Sequence, residues 1–204
     1  MSVLIYSANM GGYDQRHTHV EQTIPVEFAY FDQPQFGLTP MMEAKWHKLH
    51  PPEGYDYTIW IDASVRIKSP HFAKYCVDSA KDRWALFRHP DRDCAYVEAA
   101  FSQDMKKYYD CPIREQMAHY KADGFPEGFG LWACTMIARS KWGKELNEAW
   151  WTENQKWSFQ DQVSFPYLLW KRNETVYDFP SNFPSNLVQL NTGHRGEGYQ
   201  RCPR

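Results

Sequence analysis

Three acids stand in this chain where a ligand would be met. In "YDYTIWIDASVRI", Tyr55 to Ile67, the branched and aromatic run Thr58 to Ile61 reads as a strand, and Asp62 follows with no turn residue between. A carboxylate there either caps the next turn through its own backbone or faces a bound molecule. Asp32 closes "VEFAYFD" in the same way, and Asp161 stands beside Gln162 at the start of a helical run. A carboxylate next to an amide at a helix start caps the helix, or orients a hydroxyl and accepts its proton. No second clear acid is paired with Asp161, so a two-carboxylate hydrolase is not indicated.

Other residue types add to these acids. The turn "SANMGGYD" sets Ser7, Ala8, Asn9 and Tyr13 around two adjacent glycines, which let a ligand approach the backbone closely. It carries neither G-x-G-x-x-G nor a Gly-Lys-Ser/Thr, so it is not a dinucleotide fingerprint or a P-loop. Lys45 and Lys48 share one helical face, as a phosphate site or a solvated surface would require. His89, Asp91, Arg92 and Glu98 crowd one loop-to-helix passage, read either as site residues or as a structural ion pair.

Composition narrows the classes. The 204 residues make one domain of 1–204, with a tail rich in Pro, Asn and Gly from about residue 181. Lys and Arg total 23 against 25 Asp and Glu, a net charge of −2, so no global positive field points to nucleic acid or an anionic membrane. Aromatic content of 17 % suits sugar or base faces as well as packing. Five scattered cysteines without a CxxC pair argue against a zinc knuckle and against a disulfide framework. No leader or membrane span is read, and a soluble protein of a reducing, cytoplasmic compartment is expected.

The elements that must position these residues alternate. "SVLIYSA", "VEFAYFD", "TIWID", "RWALFR", "LWACTMIAR" and "TVYDF" read as strands; "TPMMEAKWHKLH", "HFAKYCVDSA", "AYVEAAFSQDMKKYY", "IREQMAHYKADG", "KELNEAWWTENQKW" and "QDQVSFPYLLW" read as helices. Thr39 is the expected N-cap of the first helix with Pro40 at its first position, and Pro166 is expected to delay or kink the last. Strands alternating with helices imply an α/β fold with a mainly parallel central sheet flanked by helices. In such sheets ligands gather beyond the carboxyl ends of the strands, which is where Asn9, Asp32 and Asp62 fall.

The order "YSANMGGYD", "VEFAYFD", "AKWHKL", "YTIWIDASVRI", "FRHPDRDCAYVEA", "GFGLWACTMIAR" and "FQDQVSFPYLLWK" resembles the GT-A-type, Rossmann-like glycosyltransferase-like domain of plant and bacterial proteins. It is more distantly similar to glycogenin-like and bacterial galactosyltransferases. The resemblance runs from Tyr6 to about Lys171, and "HPDRDCAYVEA" and "DQVSF" are its most specific pieces. It implies transfer of a hexosyl or pentosyl group from a nucleoside-diphosphate sugar, a UDP-sugar above all, with retention favoured over inversion. Asp62 becomes the metal-facing acid for Mn2+ or Mg2+, with Ser64 at the third position of an Asp-x-Asp-like motif that lacks its second Asp, and His194 as a late ligand from the tail.

The same resemblance puts Lys45, Lys48 and Arg195 on the diphosphate, Asp32 on the base or ribose, and Ser7, Ala8, Asn9 and Tyr13 on the donor. Arg92 and Glu98 then line the sugar or acceptor side, and Asp161 with Gln162 carries the catalysis. The acceptor stays open among a glycan precursor, a protein and a hydroxymethylated base in viral DNA, as does the oligomeric state. A nucleotide-sugar binding module without catalysis and a metal-dependent nucleotidyltransferase are the competing classes.

Overall fold

The computed structural model describes residues 1–141, 143–183 and 186–191. Its centre is a six-stranded sheet ordered β2-β1-β3-β6-β5-β7, built from β1 (Val3–Ala8), β2 (Glu27–Phe31), β3 (Tyr57–Ile61), β5 (Trp84–Arg88), β6 (Trp132–Ser140) and β7 (Tyr177–Asp178). β1 pairs parallel with both β2 and β3, and β5 pairs parallel with β7. β6 runs against its neighbours β3 and β5, so the sheet is mostly parallel, with one reversed strand inside it. A two-stranded antiparallel ribbon, β4 (Val65–Ile67) with β8 (Val188–Leu190), follows the end of β3.

Period-two alternation divides the core between the two sheet faces. Leu4, Tyr6 and Ala8 of β1 face one side, where α1 (Pro40–Leu49), α5 (Lys144–Lys156) and α6 (Asp161–Arg172) contribute Met42, Trp150 and Phe165. Val3 and Ile5 face the other, against Phe72, Cys76 and Val77 of α2 (Phe72–Ala80). Among the described residues the remaining α-helices are α3 (Ala95–Gln103) and α4 (Ile113–Ala122), which Gly124 follows at a φ of 88°.

Helix boundaries follow local chemistry. The Met42 amide donates to the Thr39 hydroxyl at 3.4 Å and Pro40 opens α1, as the sequence predicts. The loop ahead of α1 is tied to it, because the Phe36 amide donates to the buried Glu43 carboxylate at 2.8 Å. The late start expected for α6 does not occur: the helix begins at Asp161 and runs through Pro166. Pro166, inside the helix, removes the bond to the Gln162 carbonyl and crowds that carbonyl with its ring. Cys76, Cys94 and Cys134 are free and buried.

Candidate active site

A cavity of about 450 Å3 opens where β1 and β3 end. Ala8 to Gly11 supply one wall, Trp60 and Asp62 to Ser64 a second, and Pro40 to Lys48 of α1 a third. Gly11 holds a φ of 70°, a left-handed conformation that costs glycine little, and Met10 turns inward as a result of the tight turn. Asp62 is fixed by its backbone amide, which donates to the Thr135 carbonyl of β6 at 2.9 Å. The helix start at Asp161 closes the fourth side with Gln160 and Gln162.

Charge is concentrated on that fourth side. Asp161 is buried, and its Oδ2 receives hydrogen bonds from the ammonium groups of both Lys45 and Lys48, the latter at 2.6 Å. The Lys48 ammonium also lies 3.5 Å from Asp62 Oδ1, which accepts the Trp60 indole N–H at 2.7 Å. Asp161 Oδ1, equally buried, has no hydrogen-bond partner among the described residues. Lys48 is held from behind as well: the Arg139 guanidinium donates to the Tyr6 hydroxyl at 2.8 Å, and that hydroxyl donates to the Lys48 carbonyl at 3.0 Å.

These contacts set the protonation states. Burial alone pushes the Asp161 carboxyl up, but the two lysines outweigh it and hold its pKa at about 2. Burial pulls Lys48 down, and Asp161 and Asp62 together more than reverse this. Lys45 ends below its ordinary value, because burial and the neighbouring Lys48 outweigh the attraction of Asp161. Lys107, on the cavity rim, is lowered by burial and by Lys45. The result is a partly dry cavity carrying cationic groups around one firmly ionised carboxylate.

Behind the wall lies a second polar cluster. Gln160 donates to Glu98 Oε1 at 2.9 Å and to the Ser102 hydroxyl at 2.8 Å, and accepts the Tyr108 hydroxyl at 3.1 Å. Glu98 is buried and its Oε2 accepts Arg92 Nε at 2.6 Å. The Arg92 guanidinium in turn covers the Phe101 ring at 4.4 Å.

Of the residues expected at the site, Ala8, Asn9, Tyr13, Lys45, Lys48, Asp62, Ser64, Asp161 and Gln162 line the cavity. Ser7 does not, because alternation along β1 turns it to the opposite sheet face, where it lines a separate hollow. Asp32 is exposed beyond β2, beside Gln33, and lines neither space. Arg92 and Glu98 form the ion pair behind Gln160 instead of lining the cavity; α3 carries Glu98 inward. His194 and Arg195 lie outside the described residues.

Among the lining residues that the sequence does not single out as site residues are Trp60, Gln160, Lys107 and Tyr108. Trp60 had a signal, since it shares a strand face with Asp62 two residues on. Gln160 had a weaker one, as the flank of the Asp161–Gln162 pair. Lys107 and Tyr108 had none, because only the packing of α3 against α6 brings their segment to the rim.

A divalent cation finds few hard ligands here. Among the described residues no group of three or more His, Cys, Asp or Glu is placed to hold a metal ion. Asp62 is the cavity's single carboxylate near Ser64, and one of its oxygens already serves an indole and faces an ammonium. The described donor set by itself does not fit a caged metal.

The family model for the TOD1/MUCI70 glycosyltransferase-like domain matches residues 22–188, most of the chain, and the protein belongs to that family. Glycosyl transfer is thereby supported as its general activity. β1 and the glycine turn precede the matched span. No significant match to a curated protein is found. Among solved structures, the chain is similar to a glycosyltransferase involved in the glycosylation of the major capsid of PBCV-1, with 9 % identity and a TM-score of 0.38, over 76 % of this chain and 68 % of that one. It is also similar to the bifunctional glycosyltransferase WbbM in its apo form, with 12 % identity and a TM-score of 0.42, over 82 % of this chain but only 37 % of that one. No helix among the described residues is long and apolar enough to cross a membrane.

Proposed function

We propose that the cavity binds a nucleoside-diphosphate sugar, a UDP-sugar in particular, and transfers its hexosyl or pentosyl group to a hydroxyl acceptor, retention being favoured over inversion. One observation carries this reading: Asp161 pins two lysine ammonium groups to one wall of a cavity that the glycine turn at Met10 and Gly11 also lines. The volume of about 450 Å3 lies within the range of roughly 300–1,000 Å3 common for small-molecule sites.

In the chemistry proposed, Lys45 and Lys48 offset the negative charge that develops on the leaving diphosphate, and the partly dry wall strengthens that effect. Asp161, whose pKa is held at about 2, is ionised at neutral pH and is a weak base. Its part is to hold the lysines in place and, through the unpaired Oδ1, to accept a hydrogen bond from a donor or acceptor hydroxyl. Gln162 binds the sugar, while Asn9 and Tyr13 face the nucleotide. The acceptor is a glycan precursor, a protein or a hydroxymethylated base in viral DNA.

A second reading gives Mn2+ or Mg2+ a share of the charge, held by Asp62, Ser64 and His194. It is favoured by the position of Asp62 and Ser64 together on the cavity wall. Measuring free UDP released from a panel of UDP-sugars, with and without a chelator, tests both. Activity that survives chelation assigns the leaving group to the lysines, and activity lost on chelation and restored by Mn2+ assigns it to the metal. Binding of the donor with no release in either condition marks a binding module, and pyrophosphate release from a nucleoside triphosphate marks a nucleotidyltransferase.

A further inference from the structure

On the other face of β1 and β2 lies a second hollow of about 260 Å3, under the segment that joins the glycine turn to β2. Its polar lining comes from Ser7, Arg16, His17, His19 and Tyr30, and among the described residues no Asp or Glu lines it. Ser7 is 4 % exposed, and its hydroxyl has no hydrogen-bond partner among the described residues. A hydroxyl buried without a partner is costly, and a ligand that supplies the partner removes that cost.

The two imidazoles are both set as donors. The Ile67 amide donates to His19 Nδ1 at 3.2 Å, which leaves Nε2 as the N–H of the neutral ring. The Asn191 side-chain amide donates to His17 Nε2 at 3.0 Å, which leaves Nδ1 as that ring's N–H. The Arg16 guanidinium lies over the Tyr30 ring at 4.5 Å, where the ring face holds it beside the hollow. Arg66 adds a further positive charge near His19. Asp14 and Asp32 stand beyond the lining, near enough to act on the Tyr30 hydroxyl.

A hollow lined by Arg16, His17, His19 and the unsatisfied Ser7 hydroxyl, with no Asp or Glu among its described lining residues, has an anionic complement. We propose that it binds an oxyanion, a single phosphate group either free or as the monoester of a small solute. Its donors outnumber the two oxygens of a carboxylate and match the three terminal oxygens of a phosphate monoester. This site is distinct from the cavity of Lys45 and Lys48, which lies across the sheet, and it goes beyond the transfer reaction proposed there.

Histidine side-chain NMR of the whole chain, titrated with inorganic phosphate, tests this. The His17 and His19 ring signals are expected to shift saturably, with binding weakened about tenfold in Arg16→Ala and several-fold in Ser7→Ala. Arg16 is exposed and Ser7→Ala removes one atom from the core, so both variants should fold. Lys45→Met, in the other cavity, is expected to leave these shifts intact. A small sugar phosphate that shifts the same signals more strongly than inorganic phosphate identifies the monoester as the occupant. The proposal is overturned if millimolar phosphate leaves both rings unmoved, if Arg16→Ala binds as before, if Lys45→Met abolishes the response, or if acetate acts as strongly as phosphate.

Discussion

Asp161 and Glu98 are two equally buried carboxylates, joined through consecutive residues of one chain segment, and they are used in opposite ways. Glu98 has both oxygens occupied: Arg92 takes one, and Gln160 with Ser102 takes the other. Asp161 gives one oxygen to two lysines, and its second oxygen has no partner among the described residues. Burial therefore does not separate a site residue from a scaffold residue. The unfilled hydrogen-bonding position does, because a closed network has nothing left to offer a ligand.

The largest effect is expected from Asp161→Asn. Turnover should fall by roughly 100-fold or more, the usual scale for losing a positioned charged group. Thermal stability should fall as well, by about 3 kcal/mol, since Lys48 is left buried without its main partner. Turnover measured at saturating donor and a melting curve check both, and unchanged turnover would erase the contrast with Glu98. Asp62→Asn comes next. It should slow transfer at least tenfold with little change in stability, because the Asp62 side chain is 39 % exposed and its ion pair with Lys48 is long at 3.5 Å.

Glu98→Gln should reverse that pattern. Melting should reveal a loss of about 2 kcal/mol from the weakened charge-assisted bond of Arg92 to the buried position 98, while turnover of the folded enzyme stays within a few-fold of the parent. A turnover collapse with normal stability would move Glu98 into the site. Acid titration sharpens the comparison at a smaller scale. The Asp161 pKa is depressed from 3.8 to about 2, so its contribution to stability is full above pH 4 and is lost as the pH falls toward 2. In Asp161→Asn, the unfolding free energy should lose that part of its slope. Ser102→Ala, which removes one hydroxyl from the closed cluster, should cost only about 1 kcal/mol and leave turnover unchanged.

The same contrast explains what could be read from the chain. The Arg92–Glu98 segment is as distinctive in sequence as "DQVSF", and charged residues crowd it, yet spacing cannot say whether a helix turns Glu98 toward a cavity or toward a neighbouring helix. α3 packs on α6, and that contact decides it. Ser7 and Ala8 are a parallel case. Both belong to the same quoted turn, but the pleat sends them to opposite faces and so to different hollows.

Sequence by itself determined the elements and their local chemistry: the alternation of strand and helix, Thr39 and Pro40 at the head of α1, and Asp62 at the end of β3. Those features rest on residues within one or two turns of each other, where propensity and capping act. Tertiary structure alone decided the rest: that β6 runs against its neighbours, that Asp161 meets Lys45 and Lys48 from more than a hundred positions away, and that Gln160 joins Glu98 to the cavity wall. The reason is physical. An ion pair or a buried hydrogen bond is chosen by which helices pack on which sheet face, and that packing is a property of the whole core, which no short stretch of residues contains.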